Sequence, residues 1–140
     1  MQFREFIHSP VFVCAASSTL ASAAREMDVH NVGSLVVTDD DERVVGIITD
    51  RDVAVSIGRG LDVLTEVSRI MSDDVTTVPE GTSLDEAAAT MDSHGIRRLP
   101  VVDEGNHPIG IVCLDDLYDY FTQEAITLFG AIRAQAVSRE

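Results

Sequence analysis

Apolar and polar positions along the chain fall into two series of the same shape. Apolar residues recur at Leu20, Ala23, Ala24 and Met27, and the spacing returns at Leu84, Ala87, Ala88 and Met91. Steps of three and four residues put each set on one helical face, so each predicts an amphipathic helix. A short apolar stretch precedes each helix, VFVC at 11–14 and VTTV at 75–78, and both suit strands. Two more such runs follow in each half, SLVVT and VVGII in the first, LPVV and IGIV in the second. The polar stretches DDDER and DEGNHP between them predict hairpin connections. Ser83, followed by Glu86 three residues on, predicts a capping box at the second helix start. Each half then closes on a strand-to-helix corner, GIITDRD at 46–52 and GIVCLDD at 110–116.

The order β-α-β-β-α is thus written twice. The two copies align without a gap at a shift of 64 positions, from about residue 3 to residue 53, as a duplicated unit would. The predicted fold class is α/β (α+β): two β-α-β-β-α repeats packed with pseudo-two-fold symmetry. Repeat 1 is placed at 3–62, repeat 2 at 63–122, and a C-terminal helical extension at 123–140. A three-stranded sheet with helices on one face needs its other face covered, and the second copy is the natural cover. Two equivalent clefts then lie where the copies meet. The stretch LDVLTEVSRIM (61–71) is too apolar for a free linker and predicts a short helix.

Composition narrows the partners. With 140 residues and 45% hydrophobic residues, the chain can bury a real core. No apolar run approaches the roughly 20 residues of a bilayer span, and MQFREFIHSP lacks the apolar core of a secretory signal, so a cytoplasmic location is expected. The net charge is −14, and all ten basic residues are arginine. Such a surface repels nucleic acid and anionic membranes. The acidic, lysine-free composition resembles cytosolic proteins of salt-loving archaea, although a GC-rich genome also favours Arg over Lys. Cys14 and Cys113 form no disulfide framework and no metal-ligand spacing, and read as buried small apolar side chains.

The duplicated plan, HGIRRLPVVD before the second strand pair, and the closing Gly-h-h-Thr-x-x-Asp corner resemble the cystathionine-β-synthase (CBS) domain. Two in tandem resemble a Bateman module, and the likeness covers nearly the whole chain. It implies a non-enzymatic regulatory module that takes an adenosine-containing ligand (AMP, ADP or ATP, S-adenosylmethionine, sometimes NAD) between repeats and signals to a partner protein. It also implies a disc-like homodimer and no obligatory cofactor.

Carried onto this sequence, the resemblance joins a carboxylate from one repeat to cations from the other. Asp52 would hold the ribose and Thr49 would donate to a phosphate. Capping and helix-dipole effects favour the same residue types at a helix start. Arg97 and Arg98 would supply the phosphate partners, because a guanidinium fork matches phosphate oxygens. A solvated surface pair is the usual reading of adjacent arginines. Val75 and Thr76 would flank the adenine along with Ile47 and Ile96.

The second cleft would be built from Val11, Phe12, Ser34, Ile111, Cys113 and Asp116. There Cys113 replaces the threonine hydroxyl, Asp115 adds negative charge, and Gly33 and Ser34 bring no cation. This cleft is expected to be empty, or to take an adenosine moiety with little phosphate recognition.

Other features point to nothing sharper. His30 and His94 sit at matching helix ends, ordinary places for a histidine. TDDDE at 38–42 reads as a solvated turn, and there is no G-x-G-x-x-G run. No nucleophile–base pair suggests an enzyme, and no metal site is expected. The tail places Leu117, Phe121, Ala125, Leu128 and Ile132 on one helical face, more apolar surface than a small monomer readily hides. A dimeric interaction adaptor with vestigial clefts is the alternative function.

Overall fold

The computed structural model describes residues 2–138. In the first repeat, β1 (Val13–Ala15) leads through α1 (Leu20–His30) to β2 (Ser34–Thr38), β3 (Val44–Thr49) and α2 (Asp50–Gly58). In the second, β4 (Val78–Pro79) leads through α3 (Leu84–His94) to β5 (Arg98–Val102), β6 (Pro108–Cys113) and α4 (Leu114–Ser138). The expected order is therefore present twice. The leading strands are shorter than their apolar stretches, and residues 75–77 lie outside β4.

Each repeat forms a three-stranded sheet in chain order, β1-β2-β3 and β4-β5-β6. The first pair is parallel and bridged by the helix, and the second is an antiparallel hairpin. Local chemistry sets the helix ends: the Thr19 hydroxyl accepts from Ser22 N–H at 3.1 Å, and Ser83 with Glu86 forms the expected box.

The helix stripes build the cores. Leu20, Ala23 and Met27 pack with Leu35, Val37 and Ile48, while Ala87 and Met91 pack with Leu99, Val101 and Val112. A third cluster draws on both repeats: Val36, Val44 and Val102, flanked by Val11 and Val75. Asn106 ties the halves together, its carbonyl accepting from Val44 N–H at 3.0 Å and its side-chain amide donating to Val44 O at 3.1 Å.

The leading segment of each repeat packs into the other repeat. Phe3, in a 3-10 turn at Phe3–Phe6, is 3% exposed within the second repeat's core. Its equivalent Val67, in the turn Val67–Arg69, is fully buried within the first repeat's core. The short helix expected in 61–71 is this single turn. Just beyond each turn the backbone adds a bridge to the other repeat's last strand: His8 to Ile111, and Ser72 to Ile47. The two spatial units are consequently not contiguous in sequence.

These bridges explain the repeated glycine of the corners. A Cβ on Gly46 would strike the Met71 side chain and lie 3.1 Å from the Ser72 carbonyl oxygen. One on Gly110 would strike Ile7 and lie 3.0 Å from the His8 carbonyl oxygen. Glycine lets the two backbones approach at both places.

Helix α4 runs on past the repeat. Leu117 is 1% exposed and closes the second core, but Phe121, Leu128, Phe129 and Ile132 are exposed. No helix among the described residues is long and apolar enough to cross a membrane.

Candidate functional site

A cavity of about 440 Å³ opens between the repeats. Val11, Phe12 and Val36 from the first repeat and Ile111 from the second give it apolar walls, with Ser34 and Cys113 at its polar end. Five of the six residues expected in the second cleft thus line one cavity, namely Val11, Phe12, Ser34, Ile111 and Cys113. The sixth, Asp116, lies beside it, its carboxylate 2.5 Å from Nε2 of His8, which also lines the cavity. The Phe12 ring is stacked on His30, with centroids 4.0 Å apart. This contact gives the helix-end histidine a packing role and fixes one wall.

The structure differs from the sequence expectation in the placement of the arginines. Arg98 lines this cavity, opposite the strand position of Cys113. Its Nη2 lies 3.4 Å from where a Cβ would stand on Gly33. A cleft expected to have no cation therefore has one. The reason is register: Arg98 is the first residue of β5, paired with Cys113, and that edge faces Gly33 and Ser34 rather than the start of α2 alone. Arg98 forms no ion pair among the described residues, so its charge is uncommitted. Arg97 points elsewhere. Its Nη2 donates to Asp115 at 2.9 Å, and both side chains are more than two-thirds exposed. Such an exposed pair contributes little stability.

Of the other expected cleft, Thr49 and Asp52 are brought together by a capping box. The Thr49 hydroxyl accepts from Asp52 N–H at 3.1 Å, and the Asp52 carboxylate accepts from Thr49 N–H at 2.9 Å. The capping role is thus realised, while the threonine O–H and the second carboxylate oxygen remain to be offered to a ligand. Ile47, Val75, Thr76 and Ile96 are all half-buried, and Val75 packs on the cluster between the sheets. Asp52 also lines a 350 Å³ cavity on the flank of α2 with Arg51, Ser56, Arg59 and Arg69.

That flank has a counterpart of opposite charge. The equivalent cavity beside α4, about 600 Å³, is lined by Glu5, Asp116, Asp119, Tyr120 and Glu124. Three arginines in one cavity thus answer to carboxylates in its counterpart, although residue by residue only Arg69 and Glu5 of these occupy equivalent positions of the two repeats.

The two thiols differ. Cys14 lies in the first core, and burial, helped by the Glu26 carboxylate, pushes its thiol up to about 11. Burial likewise raises Cys113, with Asp116 and Asp115 adding to the rise and Arg98 opposing it.

The CBS domain family model matches residues 3–59 and again 67–123. The chain belongs to the CBS-domain family. It is 42% identical over 107 residues to an uncharacterized 17.7 kDa protein of Acidianus ambivalens, covering 76% of this chain and 65% of that one. Some curated relatives are far longer; the chain spans only 23% of a homoserine O-acetyltransferase from Methanosphaerula palustris. Hypoxic response protein 1 of Mycobacterium tuberculosis is 31% identical over 128 residues, 90% of this chain and 89% of that protein. A crystal structure of Hypoxic Response Protein I with two coordinated zinc ions matches at a TM-score of 0.74, 30% identity, and 85% and 98% coverage. The CBS domain pair of protein MJ0100, in complex with 5′-methylthioadenosine and S-adenosyl-L-methionine, matches at a TM-score of 0.79. Its identity is 26%, over 89% of this chain and 98% of that one. CBS pairs of this kind are regulatory modules, and the enzymes among the relatives share only their CBS part with this chain.

Proposed function

We propose that this CBS pair is a non-catalytic regulatory module that binds an adenosine-containing molecule in the cavity between its repeats. The observation that carries the reading is an apolar slot ending in an uncommitted guanidinium. Val11, Phe12, Val36 and Ile111 suit a flat aromatic base, while Arg98 suits a phosphate or another anionic group. The adenosine-derived ligands of the MJ0100 pair support this ligand class. The cleft of Ile47, Thr49, Asp52, Val75, Thr76 and Ile96 is proposed as a second subsite, with Asp52 on the ribose and Arg97, held by Asp115, outside it. Binding biases a partner protein insofar as the ligand prefers one arrangement of the repeats.

The test is a thermal-shift panel of AMP, ADP, ATP, S-adenosylmethionine and NAD on folded, ligand-free protein. A ligand at about 100 times its dissociation constant should stabilise by about 2.7 kcal/mol. Arg98→Ala should weaken phosphorylated ligands about tenfold or more and Arg97→Ala hardly at all, since only the former side chain lines the cavity. No shift with any member of the panel would remove the reading.

A homodimer is part of the proposal. A second copy turned end for end would set Arg51, Arg59 and Arg69 against Asp119, Glu124 and Glu5. The exposed Phe121 and Val55 beside these charges add apolar area. Light scattering should report a dimer that weakens in Arg59→Glu and recovers in Arg59→Glu combined with Glu124→Arg. A dimer that survives these changes but dissociates on substituting the α4 face, with no ligand bound, would favour the adaptor alternative.

A further inference from the structure

Asp116 sits in a cluster that its counterpart in the first repeat does not form. An imidazole nitrogen of His8, the Cys113 sulfur and an Asp116 carboxylate oxygen all lie within 4.8 Å of one another. The three come from distant places. His8 belongs to the leading segment, Cys113 ends β6, and Asp116 stands in the first turn of α4.

Backbone structure holds the cluster in place. His8 N–H donates to Ile111 O at 2.8 Å, and Ile111 N–H donates to His8 O at 3.2 Å, so His8 is laid along β6 two residues before Cys113. The pseudo-equivalent trio in the first repeat is Ser72, Thr49 and Asp52. The carboxylate is common to both. The other two differ together, a serine for the histidine and a threonine for the cysteine. One corner thus offers only oxygen, and the other offers nitrogen, sulfur and oxygen.

We propose that His8, Cys113 and Asp116 form a binding site for a zinc-class divalent ion. A thiolate and an imidazole select borderline metals such as Zn²⁺ over Mg²⁺ or Ca²⁺, which prefer all-oxygen shells. Tetrahedral bonds of about 2.0–2.3 Å place donor atoms roughly 3.3–3.8 Å apart, so from a trio within 4.8 Å the widest separation closes by about an ångström while the 2.5 Å contact of His8 Nε2 with Asp116 opens to admit the ion. Three protein ligands leave a fourth position, and His8 and Cys113 both line the interrepeat cavity into which it opens. Asp119 and Glu124, which line the neighbouring cavity with His8 and Asp116, add negative potential, while Asp115 is already paired with Arg97 and Arg98 opposes from the other side. On binding, the Cys113 thiol proton passes to solvent and the thiolate takes the metal. The site needs no nucleotide in the cavity, so it stands or falls apart from the proposed function.

The experiment is a titration of the chelator-treated full chain with Co²⁺, followed by displacement with Zn²⁺. One equivalent of Co²⁺ should produce a thiolate-to-cobalt charge-transfer band in the near ultraviolet, and Zn²⁺ should abolish it. Cys113→Ser should lose the band, and His8→Gln should weaken Zn²⁺ binding at least about tenfold. Circular dichroism establishes that both variants are folded. Absence of the band in the wild-type chain overturns the proposal, and that measurement requires no variant. So does Zn²⁺ affinity unchanged in both variants, or weak uptake of several ions without the band, which is what a carboxylate-rich surface alone would give.

Discussion

Phe3→Ala tests the exchange of leading segments between repeats. Phe3 stands in the short 3-10 turn ahead of β1, outside the sheet and helices of its own repeat. Here the ring is 3% exposed among Val78, Met91, Leu99 and Leu117 of the second repeat. Removing a buried phenylalanine typically costs about 3–5 kcal/mol, from lost transfer energy and the cavity left behind. A single 3-10 turn can relax into the gap, so a loss of about 3 kcal/mol is the expected value. For a chain of this length that lowers Tm by roughly 10 °C. The informative measurement is amide hydrogen exchange. Protection should fall first in β5, β6 and α3, because Phe3 packs there, while β2 and β3 keep theirs until global unfolding. A loss under about 1 kcal/mol, or deprotection centred on the first repeat, would refute the packing argument.

Three further outcomes follow from the same geometry. Gly110→Ala should cost about 1–3 kcal/mol in chemical denaturation and also weaken ligand binding, because the new methyl pushes on Ile7 and on the His8 backbone at the cavity wall. Cys14 should resist alkylation in the folded chain at pH 8. Its folded pKa of about 11 exceeds the ordinary 9.0, so its contribution to stability is complete below pH 9 and is lost between pH 9 and 11. A denaturation series of wild type against Cys14→Ala across that range checks the sign. With a net charge of −14, Tm should rise as NaCl screens self-repulsion, and an Asp40→Asn, Asp41→Asn variant in the exposed turn should need less salt for the same Tm.

Much of the fold was legible along the chain because its causes are local or repeated. The 3.6-residue spacing of Leu20, Ala23 and Met27 fixes which face of α1 is buried, and its recurrence 64 positions later fixes the second helix. The box at Ser83 and Glu86 and the paired corners are likewise written in a few adjacent residues. The members of the Val11, Phe12, Ser34, Ile111 and Cys113 cleft could be inferred from the duplication together with the family resemblance, since symmetry sets which segments meet.

The tertiary structure alone decided the rest, wherever the outcome depends on side chains far apart in sequence. Arg98 turns to the cavity as the first residue of β5, paired with Cys113, while Arg97, just ahead of the strand, reaches Asp115 in the first turn of α4. That Phe3 and Val67 cross into each other's repeats follows from which apolar surface lacks cover, a property of the assembled sheets. His8 and Asp116, 108 positions apart, meet only because the leading segment adds a bridge to β6. A linear pattern encodes which faces seek burial. Only the packed chain determines which distant polar groups are left sharing one small volume.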